Sequence, residues 1–362
     1  GDIAKFHPFV CVAFVTTFSQ TLKQMDFQEL YLETPYSQIL GKLKFNYERK
    51  DLKDFFNKVN LDAYFEKSLI SSTDLRRFYE GFGYDHELKI NGNANGQLNN
   101  LEVQSLKVEG LNQTEIFGDL RLINSFGDSP FTLDGYALDI RTTYDDLIKL
   151  FPTDLENNLP PYFKAFGLTN LNGKIELSTS EIFTVLDMET ELGSASVNLN
   201  FENYQSPETV KYSGFLDVSK FDLGEFFNIK TLGNTTFNFN VNGSGFTKSS
   251  LNTLAVGTIN SLYIKGYNYK DIKLNGNLRA PYFDGELESL DPNFLFSFDG
   301  LIDASKEENA FKFNADIDYA NLNALNIVKR DTMADFQGNL NVDLVGNSID
   351  ELKGKLSFSS FK

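Results

Sequence analysis

Apolar and polar residues alternate with a period of two in run after run of this chain. The clearest runs are Val197-Asn-Leu-Asn-Phe201, Phe237-Asn-Phe-Asn-Val241, Phe294-Leu-Phe-Ser-Phe298, Phe311-Lys-Phe-Asn-Ala-Asp-Ile317 and Leu340-Asn-Val-Asp-Leu344. Side chains on a strand point alternately to its two faces, so each run predicts a strand with one apolar and one polar face. Between such runs stand Asn91-Gly92, Asp134-Gly135, Asn172-Gly173, Asn242-Gly243, Asn275-Gly276, Asp284-Gly285 and Asp299-Gly300, which predict hairpin turns because glycine takes positive φ freely. Two-residue turns join antiparallel neighbours only, so the fold is expected to be mainly β and locally connected.

Short helices are expected to interrupt the strands in a repeated way. A strand leads into an Asp/Asn-Leu step and an apolar turn at Asp74-Leu75, Asp146-Leu147, Asp222-Leu223 and Asn321-Leu322. Asp, Ser or Thr ahead of each turn is suited to cap its first amides. The growing spacing of these steps points to a degenerate structural repeat. Asp51 to Phe56 is a fifth candidate that breaks the spacing. Phe151 to Leu168, with Pro152, Pro160 and Pro161, reads as a connector that bends the sheet or packs across one end of it. Residues 1–25 read as an irregular N-terminal segment and 26–362 as one continuous repetitive β region, a fragment of a longer protein.

Composition narrows the chemistry. Lys and Arg number 33 against 50 Asp and Glu, a net charge of −17 that argues against nucleic acid as a partner. Two histidines (His7 and His86), one cysteine (Cys11) and no tryptophan leave no Cys/His zinc site and no disulfide framework. The 35 Phe and 16 Tyr argue against disorder. No run reaches the ~20 apolar residues of a transmembrane helix; Phe9 to Val15 reads as a buried strand, with Cys11 as a small hydrophobe within it.

Candidate motifs reduce to structure. Gly243-Ser-Gly245 lacks the third glycine of a phosphate loop, since Lys248 stands there. Asp145-Asp146 fit a helix start, and Asp316 and Asp318 a solvated strand face. Asn112-Gln-Thr114 and Asn234-Thr-Thr236 match the glycosylation pattern, which is common by chance. No catalytic residue, metal ligand or cofactor is expected, and the chain is not expected to be an enzyme. What remains is the apolar face: Val197, Leu199, Phe201, Phe237, Phe239, Val241, Phe294, Phe296, Phe298, Phe311, Phe313, Leu340, Val342 and Leu344. An ordinary sandwich core accounts for such a face in most all-β chains. Here the repeated unit without chain closure, and wide flat side chains backed by small polar ones, suit an acyl-lined trough as well.

Phe151 to Pro160 through Gly173-Lys-Ile-Glu-Leu177, Thr231 to Phe246, and Asp291 to Gly300 resemble the middle region of the Bacteroidota TamB family of translocation and assembly module proteins, within the AsmA-like group. The resemblance implies an elongated antiparallel sheet curled into a groove, lined by the apolar face. It implies an envelope protein anchored in the inner membrane by segments outside this sequence and crossing the periplasm. Implied roles are transfer of phospholipid, held by its acyl chains, toward the outer membrane, and assembly of outer-membrane β-barrel proteins with an Omp85-type partner. The alternative is a scaffold that binds unfolded outer-membrane protein segments by strand addition, with no lipid conduit. About 25 strands are expected if a strand with its turn averages roughly a dozen residues, on the order of 100 Å at about 4.8 Å per strand.

Overall fold

The Asn-Gly and Asp-Gly pairs expected to turn the chain lie inside strands. In the computed structural model, which describes residues 11–156, 159–247, 249–279, 281–304, 308–328, 334–347 and 351–360, all seven pairs fall within strand segments. The reason is steric: backbone or a side chain of the neighbouring strand takes the space of the glycine's missing Cβ. A Cβ at Gly276 would come within 2.7 Å of the Phe283 ring, and one at Gly285 within 2.4 Å of the Gly276 Cα. Strands are therefore longer and fewer than expected, with twenty among the described residues.

The chain parts into two units, residues up to Glu191 and residues from Leu192 onward. The first holds β1 (Ala13–Gln20), β2 (Gln24–Glu33), β3 (Gln38–Asn46), β4 (Asn60–Ser71), β5 (Glu87–Gln97), β6 (Asn100–Gly110), β7 (Thr114–Ile123), β8 (Thr132–Thr143), β9 (Leu168–Ser178) and β10 (Glu181–Thr190). The second holds β11 (Gly193–Glu202), β12 (Lys211–Asp222), β13 (Leu232–Ser244), β14 (Asn252–Ile264), β15 (Tyr267–Arg279), β16 (Tyr282–Asp291), β17 (Phe294–Asp303), β18 (Ala310–Asn321), β19 (Asp335–Val345) and β20 (Lys353–Ser359). Within each unit every strand pairs antiparallel with its chain neighbours, and no described pairing returns to close a barrel. The protein is thus mainly β, built of open antiparallel sheet with a few short helices.

Of residues 1–25, the first ten lie outside the described residues, His7 and Pro8 among them. Ala13–Gln20 form β1, paired antiparallel with β2 through a register shift between Val15 and Thr17. That strand is not buried: Val12, Phe14 and Val15 are exposed, and so is Cys11, because β1 has a described partner on one side only.

Short helices are α1 (Phe55–Lys58), α2 (Ser72–Leu75), α3 (Tyr144–Leu150), α4 (Pro152–Leu155) and α5 (Leu223–Phe227), with 3-10 turns at Asp51–Asp54 and Pro161–Phe166. The four Asp/Asn-Leu steps prove to be of two kinds. Asp222 caps α5, accepting from the amide of Glu225 (2.9 Å), whereas Asn321 accepts from the amide of Ala324 (2.9 Å) in a turn that does not become the expected helix. At the other two steps Ser71 and Thr143 cap, three residues earlier, by accepting from the amides of Thr73 and Asp146 at 3.2 Å each. Asp74 and Asp146 are then released to reach sideways into a neighbouring hairpin turn. Asp74 accepts from the Thr34 and Ser37 hydroxyls at 2.5 and 2.6 Å. Asp146, fully buried, accepts from the amides of Asn112 and Gln113, the Asn112 side chain and the Thr114 hydroxyl. The proline-flanked connector packs at the same end of the first unit, where Phe151 meets Phe82 at 5.0 Å and Asp154 accepts from the Tyr79 hydroxyl at 2.8 Å.

Bulges interrupt the strands in a regular way. Glu29, Lys67, Ser105, Ala137 and Lys220, in β2, β4, β6, β8 and β12, stand at φ of 50° to 52°, each at a shift in register. Three of the displaced amides find a side chain on the next strand: Lys67 donates to Asn91 (2.7 Å), Ser105 to Asp119 (2.7 Å) and Lys220 to Thr236 (3.0 Å).

Candidate apolar ligand face

Residues directly opposite each other on paired strands share a face, so the register shows which side chains lie together. In the second unit one row runs Val197, Leu216, Phe239, Gly257, Leu274, Leu287, Phe298, Ala315, Leu340 and Phe358, one residue from each of ten strands and none of them polar. A parallel row contains Leu199, Val241, Phe313 and Val342, and another Phe201, Phe311 and Leu344. Phe237 and Phe296 lie on a fourth row through Ile259 and Ile272, and Phe294 stands two residues from Phe296. All fourteen candidate residues therefore share one face of the second unit. Asn238, Asn240, Ser297, Lys312, Asn341 and Asp343 alternate with them onto the opposite face.

The rings on this face touch in series. Phe237 stacks on Phe239 at 4.9 Å, Phe294 lies 4.4 Å from Phe296, and Phe298 lies 5.9 Å from Phe283 and 4.9 Å from Phe313. None of the fourteen is fully exposed, and only Leu199 and Val342 are buried; the other twelve are half-buried. The largest fully buried side chains among the described residues are valines. Phenylalanines that closed a two-layer core would be buried outright. At the margin of the face, burial is the first cause that holds the phenols of Tyr267 and Tyr269 above their usual range.

The first unit carries a comparable face that no clean alternation announces. One row joins Phe18, Phe27, Leu43, Ala63, Ala94, Val103, Leu120, Gly135, Ile175 and Thr184. A second joins Met25, Phe45, Leu61, Gly96, Leu101, Leu122, Leu133, Leu177 and Ile182. Its tightest part is the buried cluster of Leu61, Ala63 and Ala94. The bulges hide it, because each displaces the alternation by one residue. In β8 the apolar positions are Leu133 and Gly135, then Leu138 and Ile140 beyond Ala137.

The other candidates stay where structure explains them. His86 is half-buried, its amide donating to the Ser72 hydroxyl at 3.0 Å. Asp316 and Asp318 are exposed, and Gly243 lies in β13 with Gly245 just beyond it; Lys248 lies outside the described residues. A shallow depression of about 590 Å³ is lined by Asp85, Glu87, Glu109 and Glu115 with Lys89 and His86. No group of His, Cys, Asp or Glu among the described residues is placed to hold a metal ion. No helix among them is long and apolar enough to cross a membrane. No protein-family model, curated protein or solved structure matches the chain.

Proposed function

We propose that the chain is part of a periplasm-spanning envelope protein whose apolar sheet face carries phospholipid acyl chains between the inner and outer membranes, in the manner that its resemblance to TamB and AsmA-like proteins implies. The observation that carries this reading is the row from Val197 to Phe358, apolar on ten consecutive strands, on a face whose larger side chains are half-buried up to β19 and exposed on β20. An acyl chain lying across the strands meets equivalent apolar contacts at each step. Every buried methylene contributes about 0.8 kcal/mol, so a tail is held firmly in total yet slides with little change in energy. A role in outer-membrane protein assembly with an Omp85-type partner belongs to the same proposal and rests on the resemblance.

The test is lipid extraction and mass spectrometry of the purified protein, followed by transfer between vesicles. Phospholipid is expected to co-purify. Phe239→Glu and Phe296→Glu place an unpaired charge in the acyl path at a cost of several kcal/mol, and are expected to stop transfer while circular dichroism stays that of the parent. Strand addition draws its affinity from backbone hydrogen bonds and tolerates one altered side chain. Normally folded variants that transfer lipid at the parental rate would refute the conduit and favour the scaffold.

A further inference from the structure

At one end of the second unit the apolar face spills over the rim of the sheet. Phe221 continues the face beyond the bulge at Lys220, paired with Thr235 on the side of Phe237. Its ring lies 5.3 Å from Phe226 in α5, which lies 4.9 Å from Phe227. Exposure rises along this series: Phe221 and Phe226 are half-buried, and Phe227 is 54% exposed. Ile229 follows on the turn after α5. Ile327, at 63% the most exposed large apolar side chain of the unit among the described residues, is brought to the same tip. The links are Lys265, whose amide donates to the Thr231 carbonyl at 2.8 Å, and Asn326, whose side chain donates to the Lys265 carbonyl at 3.4 Å.

Charge at this tip runs against the rest of the chain. Lys230 and Lys265 are exposed beside the apolar tips, whereas Glu225 is the one exposed carboxylate on α5 and the described turns 228–232, 263–268 and 321–328. A stable protein–protein contact buries about 800 Å² on each partner, and three side chains, two at the end of α5 and one on a second turn, offer far less. Apolar tips interleaved with lysines suit a fluid interface, where the tips enter the headgroup boundary and the ammonium groups meet phosphate oxygens.

We propose that this tip docks on a bilayer bearing anionic headgroups, Phe227, Ile229 and Ile327 inserting and Lys230 and Lys265 pairing with headgroup phosphates. Docking stands on the tip alone; only the further step, delivery of acyl chains along Phe227, Phe226 and Phe221 to the sheet face, rests on the function proposed above.

The experiment is co-sedimentation of the full chain with vesicles of phosphatidylcholine alone and of phosphatidylcholine mixed with phosphatidylglycerol, across a salt series. The parent is expected to bind the anionic vesicles, less as salt rises. Lys230→Glu with Lys265→Glu is expected to weaken that binding tenfold or more, and Phe227→Ser with Ile327→Ser to abolish it, each pair folding as the parent does by circular dichroism. Lipid that co-purifies should stay at the parental amount in the lysine pair, since neither Lys230 nor Lys265 lies on the apolar rows or on the path through Phe227. A parent that ignores anionic vesicles, or folded variants that bind as it does, would overturn the docking proposal. Loss of carriage in Phe239→Glu with docking intact would separate the two proposals.

Discussion

Asp145 and Asp146 are adjacent in sequence and opposite in consequence. Asp145 is half exposed and meets Lys164 at 2.9 Å, a surface pair worth about 0–1 kcal/mol. Asp146 is fully buried and collects four hydrogen bonds from the β6–β7 turn, Gln113 donating at 2.8 Å. Asp146→Ala strands those donors and is expected to cost about 3 kcal/mol in urea unfolding, while Asp145→Ala should leave the midpoint nearly unchanged. Tyr267 provides a titration of the same kind. Burial first, and donation to Asp291 second, raise its phenol above the ordinary value of 10.0. The unfolded chain therefore releases this proton at lower pH than the folded one. The contribution is complete below the unfolded pKa and fades as pH climbs through the folded one. Stability should fall on the alkaline side, and Tyr267→Phe should flatten that fall in thermal melts taken across it.

The bulges decide how much of each strand can be read. Where a strand has no bulge across its apolar run, as in β13 and β19, alternation reads directly as a face, and every candidate residue of the second unit falls on it. Where a residue such as Lys67 or Ser105 is inserted, the apolar set changes parity mid-strand, and the face of the first unit is lost to a strict period of two. Glycines mislead for a related reason. Asn275-Gly276 carries the composition of a turn, but a turn and a strand position facing a neighbouring ring ask for the same missing Cβ. The Asp-Leu steps were legible as helix starts, yet which residue caps depends on a serine or threonine three positions earlier. What sequence could not supply is the identity of the side chain that receives a displaced amide. At β4 it is Asn91, and Asn91→Ala should cost about 1 kcal/mol and speed hydrogen exchange at the Lys67 amide, leaving the Ser105 amide, which donates to Asp119, as the internal control.

Within each unit, a strand pairs with its chain neighbours and with little else, so stability is close to a sum of adjacent terms. Protection from hydrogen exchange should peak at interior strands, at β4 and β5 around Leu61, Ala63 and Ala94, and decline toward β1. Uniform protection across a unit would contradict this. The mainly β, open antiparallel architecture was legible because alternation and local connection repeat over the whole chain; the division at Leu192 was not, because no change in composition marks it. Neighbour-only pairing also sets the mechanical character of the sheet. Antiparallel ladder bonds lie perpendicular to the strands, so tension applied from the first to the last strand of a unit is carried by the ladders in series along their bonds, none in shear, and the weakest opens first. Each strand released adds its residues at about 3.3–3.6 Å apiece while the remainder stays folded. Either unit would thus behave as a tether that lengthens in steps of whole strands at low force and winds back when the load is removed.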